Sequence, residues 1–246
     1  MSSQKLFEFK PRVDTSVDCR VWQSDPTHEL PDVPVLSGTL LAMELIVSQG
    51  SVDLAQVSQL VLSDLGATLQ IFRQAEHENV IGGRRLARVE DCISGLGLDR
   101  CFDAMASCLI TRSTHSASVY SAWGRAREVA VTAKFVAEKL ALDVASEDAY
   151  LVGLVHGIGN LPEILKWDWA THFGRHSDLA GLRIAEAWRL PHCVVRYFSD
   201  RVAGEPQTQW TTLVDHALEL LESPHSASLR DEFIQFPFRS VRQISA

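Results

Sequence analysis

Apolar residues recur along this chain at helical spacing, and the alternation that marks a strand is almost absent. Residues 35–47 (VLSGTLLAMELIV) carry the first such pattern. Asp53 is placed to cap the next segment, and Gln56 three positions on resembles the far half of a capping box. A third helix is expected from about Asp64 through Ala75, with Leu65, Leu69, Ile71 and Phe72 inward. Gly82-Gly83 interrupts the run HENVIGGRRLAR, residues 77–88, because ordering glycine costs the most backbone entropy. Helix resumes near Val89, breaks at GLGLD (95–99), and continues from about Asp99 to Ile110 with Cys101, Met105 and Cys108 on one face.

Polar residues 111–118 (TRSTHSAS) read as a connection between two halves. Beyond it, Val129, Ala130, Ala133, Val136, Ala137 and Leu140 fall at i, i+1, i+4, i+7, i+8 and i+11, one continuous apolar stripe. Ser146 is the expected N-cap of the next helix, with Glu147 and Asp148 at the positive end of its dipole. That helix (AYLVGLVHGIG) is apolar all round and should lie at the centre of the second half. Pro162 starts another helix, Ser177 precedes one ending near Arg189, Pro191 opens the next, and 209–222 form the last. The class expected is all-α, in two coupled bundles.

Composition narrows the function. The chain has 246 residues, enough for one large domain or two small ones, and a net charge of −8. An acidic surface repels phosphate backbones, so nucleic acid is not the expected partner. The opening MSSQKLFEFK has no apolar core of signal-peptide type, and no apolar run reaches spanning length. A soluble, cytoplasmic chain with no membrane partner is expected. Cys19, Cys92, Cys101, Cys108 and Cys193 form no C-x-x-C pair and are odd in number, which fits buried thiols in a reducing compartment.

Gly153-Leu154-Val155-His156-Gly157-Ile158-Gly159-Asn160-Leu161 is the segment richest in chemistry. An imidazole emerging from an apolar helix is a natural metal ligand, and the glycines that follow would let the chain turn tightly around it. The competing reading is a core histidine satisfied by a backbone carbonyl. His172 and His176 are spaced i, i+4 but lack the glutamate of a zinc helix, so they read as a surface pair. Gly82-Gly83-Arg84-Arg85, with Arg88 beyond, follows no strand and lacks a P-loop lysine, and reads as a solvated basic loop. His115-Ser116, His176-Ser177 and His225-Ser226 are neighbours in sequence only, without a nucleophile elbow around them. Trp167, Trp169 and Trp188 read as core. Phe233–Phe238 (FIQFPF) could either pack on the bundle or meet a partner.

GLVHGIGNL resembles the GLLHDIGKL signature of the HD superfamily of metal-dependent phosphohydrolases. Other segments narrow the resemblance to the HDOD family, the HD-related output domains of bacterial signalling proteins. ELPDVPVLSGTLLAMEL (29–45) is similar to that family's opening L-P-x-L-P helix. VLSDLGATLQIFRQA (61–75) resembles its S-x-D-P-x-L helix, with Leu65 in place of proline. VEDCISGLGLDRC (89–101) resembles its I-x-x-L-G segment, and FGRHSDLAGLRIAEAWRLP (173–191) its G-x-x-H…A-x-x-W-x-L-P stretch. The resemblance covers roughly residues 29–205. It implies an HDOD-like two-lobed helical bundle over 29–225, a helical lobe at 29–115 and an HD-like lobe at 116–225. Residues 1–28 would be an N-terminal extension and 226–246 a C-terminal tail.

The resemblance also implies where an HD site would stand, and most of its ligands are missing. Arg125 lies near the position of the first histidine, and Gly157 replaces the aspartate of the His156 pair. His176 survives, while the late paired histidines would fall near Asp200-Arg201-Val202. Hard divalent cations need carboxylate oxygens, and two imidazoles fall short of the usual zinc ligand set. Arg125, His156, Gly157, His176 and Arg201 are therefore read as a vestigial pocket with no catalytic residue, metal ligand or cofactor assigned. The leading reading is a non-catalytic regulatory domain that works through contacts with a signalling partner. The alternatives are a sensor of a small anion or nucleotide, using Arg125 and Arg201, and residual metal-dependent phosphohydrolysis through His156 and His176, with Asp148 a candidate carboxylate.

Overall fold

The computed structural model describes residues 30–48, 53–80, 88–108, 116–140, 142–167, 176–204 and 208–223. By packing, the chain divides into Met1–Pro31 and Asp32–Ala246, and the architecture below is that of the second unit. Among the described residues every multi-residue element is helical: α1 (Ser37–Ser48), α2 (Leu54–Leu62), α3 (Leu65–His77), α4 (Val89–Leu96), α5 (Leu98–Ala106), α6 (Ser116–Lys139) and α7 (Ser146–Val155). A 3₁₀ turn (Ile158–Asn160) then leads to α8 (Leu161–Ile164), α9 (Ser177–Ala187), α10 (His192–Ala203) and α11 (Gln209–Glu222). Helices α1–α5 pack among themselves, as do α6–α11, and the principal helix-on-helix seam between the two groups is α3 against α6. The all-α, two-lobed expectation is the architecture found.

In the first lobe Asp64 organises the entry to α3. Its Oδ1 accepts from the backbone N–H groups of Gly66 (2.9 Å) and Ala67 (3.3 Å), which caps the helix. Its Oδ2 accepts from Leu36 N–H at 2.8 Å, tying in the extended segment ahead of α1. Gly66 lets that segment approach, since a Cβ there would strike the Pro34 carbonyl. Leu65, Leu69, Ile71 and Phe72 are buried, as their spacing predicts. Gly97, at φ 78° and ψ 161°, ends α4 and begins α5 in a conformation that essentially only glycine adopts.

In the second lobe α7 crosses α6 at very close range. A Cβ on Gly153 would lie 2.8 Å from Ala130 Cα and 2.9 Å from both Ala133 Cβ and the Val129 carbonyl. The apolar stripe of α6 is buried as predicted, except that Leu140, just beyond the helix end, is 54% exposed. Several boundaries differ from the sequence reading: Asp64 caps α3 from outside, Ser177 is the first residue of α9, and α5 ends at Ala106. Ser146 is the first residue of α7 instead of its cap, the cap position being Ala145 with no side-chain bond. α6 begins at Ser116, inside the stretch read as a connection. The last helix matches 209–222 and is fastened by a capping box of Thr208 and Thr211, which the sequence reading did not include.

Three helices end on a residue with positive φ that is not glycine: Asn79 (50°), Lys166 (53°) and Arg189 (46°). Each precedes an apolar residue whose N–H reaches back five positions: Val80 to Ala75, Trp167 to Pro162 and Leu190 to Ala185. These are Schellman turns, in which the left-handed residue releases the chain while the last carbonyls stay satisfied.

Candidate functional site

His156 follows the last residue of α7, where the buried helix meets the 3₁₀ turn. Its Nδ1 lies 2.7 Å from the Gly153 carbonyl, which can only accept, so Nδ1 carries the proton. Burial pushes the imidazole below its ordinary pKa, and the Arg125 and Arg201 charges push the same way against the pull of the Gly153 carbonyl. The ring is therefore neutral near pH 7, with the lone pair on Nε2. The side chain is thus satisfied as a core histidine would be, by a carbonyl three residues back.

Arg125 and Arg201 come from α6 and α10, more than seventy residues apart, and both act electrostatically on His156. The fold thereby brings Arg125 and Arg201 into the electrostatic neighbourhood of His156 and the adjoining Gly157. Each guanidinium already has acid partners. Arg125 lies 3.7 Å from Glu128 and 3.8 Å from Glu222. Arg201 lies 3.5 Å from Asp178 and 3.4 Å from Asp215. Burial works against the Arg201 charge, but Asp178 and Asp215, with Tyr197, raise its pKa on balance. The sequence reading did not include these four acids. The available signal was spacing: Glu128 is i+3 from Arg125, and Asp215 and Glu222, seven apart on α11, share a face.

Gly157 has φ −97° and ψ 8°, which any residue can adopt, and a Cβ there would find nothing closer than Asn160 Nδ2 at 4.0 Å. The expectation that the glycines after His156 serve a tight turn is corrected accordingly: neither has positive φ. Gly159 is demanded by packing instead, since a Cβ would strike the Ser177 carbonyl at the start of α9. That contact seats the 3₁₀ turn on α9 and brings it next to His176, which is exposed and precedes the helix without a side-chain capping bond.

Asp200, one residue before Arg201, is 4% exposed; its Oδ1 accepts from Arg196 Nε at 2.9 Å, and its Oδ2 has no partner among the described residues. Among the described residues no three His, Cys, Asp or Glu side chains converge in a way that could hold a metal ion. The donor set that is present does not fit a divalent centre: one imidazole at His156 and no ligand atom at Gly157. Trp167 and Trp188 are buried, and so are Cys92, Cys101, Cys108 and Cys193, none of them in a disulfide. Burial pushes the thiols of Cys92, Cys101 and Cys193 up to about 12, far from reactive thiolates. Cys19, Gly82–Arg85, His115, Trp169, His172, His225-Ser226, Phe233–Phe238 and the segments 1–28 and 226–246 lie outside the described residues.

Residues 33–166 match the family model of the HDOD domain, more than half of the chain. Among solved structures, the fold is similar to two crystal structures of the MmoQ response regulator from Methylococcus capsulatus str. Bath. One aligns with a TM-score of 0.59 at 20% identity, covering 82% of this chain and 92% of that one. The other, of fragment 20–298, aligns at 0.60 and 19% identity, covering 80% and 88%. A search of curated proteins finds no match.

Proposed function

The chain belongs to the HDOD family, and from that premise we propose that it is a non-catalytic regulatory domain which acts by binding a protein partner in a signalling pathway. The observation that carries the non-catalytic part is the donor set around His156: among the described residues no three His, Cys, Asp or Glu side chains converge to hold a metal ion. The Nε2 lone pair of His156 is one donor, where a zinc centre takes three or four protein ligands. Gly157 supplies no oxygen, so nothing there would hold a second charge or lower the pKa of a bound water.

The protein-contact part rests on α1. Its inward face buries Thr39, Met43 and Ile46, while Leu41 and Leu45, one turn apart on another face, are 61% and 62% exposed. With Val47, 36% exposed at the end of the same helix, these leucines supply apolar surface that a partner could cover. The small-anion reading is less well supported, because Glu128, Glu222, Asp178 and Asp215 already offset both guanidinium charges.

The test is metal content and hydrolysis together. The full chain, purified without chelator or nickel resin, is analysed by elemental mass spectrometry and assayed on a generic phosphodiester with magnesium, manganese and zinc. Substoichiometric metal and no turnover are expected. A stoichiometric ion, with turnover lost in His156→Ala, would move the protein to the hydrolases.

A further inference from the structure

We propose that Arg189 is a latch between the two lobes: its guanidinium grips Glu76 and so sets the angle between α3 in the first lobe and α9 in the second. Arg189 Nε lies 3.0 Å from Glu76 Oε1. The first observation is where the sequence puts this arginine. It occupies the left-handed position of the Schellman turn that ends α9, with φ 46°. Glycine takes that conformation freely, whereas a residue with a Cβ meets its own carbonyl oxygen. From that position the Arg189 side chain reaches Glu76 on α3 of the first lobe.

The second observation is the layout of the seam. Near the N-terminal end of α3, Gly66 sits against Trp123 of α6, whose Nε1 would be 3.2 Å from a Cβ at that glycine. Close by, Tyr150 of α7 donates its hydroxyl to the Leu62 carbonyl at 3.0 Å, just ahead of α3. These contacts form a pivot. Glu76 stands ten residues further along α3, about 15 Å at 1.5 Å per residue. A tie at that distance from a pivot fixes an angle with little force.

The third observation is the character of the tie. The side chains of Arg189 and Glu76 are 50% and 27% exposed. An ion pair of that exposure is weak and screened by salt. It does not hold the fold together, but it is suited to being broken and remade, as a two-state regulatory element requires. Lys166 provides the internal control. It has the same left-handed conformation at the end of α8, and no ion-pair partner among the described residues.

The experiment measures the angle itself and needs no signalling partner, so it stands or falls apart from the functional reading above. Spin labels are placed on α1 and α9 of the full chain as Glu44→Cys and Ala187→Cys, both exposed positions, in a Cys19→Ser background. The four described native thiols are buried and stay unlabelled. Arg189→Gly, which removes the grip and keeps the left-handed turn, is expected to shift or broaden the label-to-label distance distribution. Glu76→Gln should reproduce that change, the exchange Arg189→Glu with Glu76→Arg should partly reverse it, and Lys166→Gly should leave the distribution as in the parent. An unchanged distribution in Arg189→Gly and Glu76→Gln would overturn the latch.

Discussion

Asp64 has no exposed surface, yet its carboxylate is met by N–H donors from Leu36, Gly66 and Ala67, so the side chain both caps α3 and anchors the segment ahead of α1. Burial pushes its pKa up, while those donors and Thr39 pull it back. Asp64→Ala would strand several buried N–H groups, and a loss of roughly 2–4 kcal/mol is expected from the cap and unsatisfied-donor terms together, measured by urea unfolding. His156 makes the opposite kind of prediction, visible only in pH. Its folded pKa lies below the ordinary value of about 6.5. As pH falls through about 6.5 the unfolded chain takes up this proton first, so stability drops on acidification. Between pH 7.5 and 5 the parent should lose more stability than His156→Gln, with a slope difference of at most about 1.4 kcal/mol per pH unit. Equal slopes would mean that His156 is not held neutral.

At the scale of elements, the fold turns on how closely helices approach. The segment GLVHGIG contains three glycines that look alike in sequence and differ in space. Gly153 lets α7 cross α6 against Ala130 and Ala133, Gly159 lets the 3₁₀ turn meet α9, and Gly157 faces open space. Substitution should separate them by sign. Gly153→Ala forces a methyl into a filled crossing and should destabilise by about 1–3 kcal/mol. Gly157→Ala restricts only the unfolded chain and should be neutral or stabilising by up to about 1 kcal/mol. Thermal or urea midpoints of the two variants check both. Comparable losses in the two would show that the turn at Gly157 does need glycine. Helix existence was legible because a buried stripe leaves a 3.6-residue period. Caps were less so: Asp53 reads as a cap, but Asp64 was placed inside the helix it caps, and Thr208, an ordinary cap residue, was passed over.

For the whole molecule, the exposed pair Leu41 and Leu45 tests whether the surface of α1 serves folding or contact. Met43 and Ile46 on the inward face belong to the core. The double substitution Leu41→Asp with Leu45→Asp should change unfolding free energy by no more than about 0.5 kcal/mol per site, as exposed positions do. It should also remove any partner that the parent retains on a column at equal concentration. A large loss of stability would place these leucines in the core of the fold and withdraw α1 as a contact surface.

What the sequence determined by itself follows from periodicity and local chemistry. Apolar stripes specify helices, Gly97 specifies a break, and the missing oxygen at Gly157 excludes a carboxylate ligand at that position in any fold. The tertiary structure alone decided which distant charges meet. The Arg125 and Arg201 charges act on His156 only because α6, α7 and α10 pack together, and their acids arrive from α6, α9 and α11. It also decided that Gly159 is needed and Gly157 is not, and that Arg189 finds Glu76 across the seam. The physical reason is range: helical period and caps are set by neighbours within about four residues. Ion pairs and close crossings between helices depend on side chains far apart in sequence, which only the packing of the whole chain brings within a few ångströms.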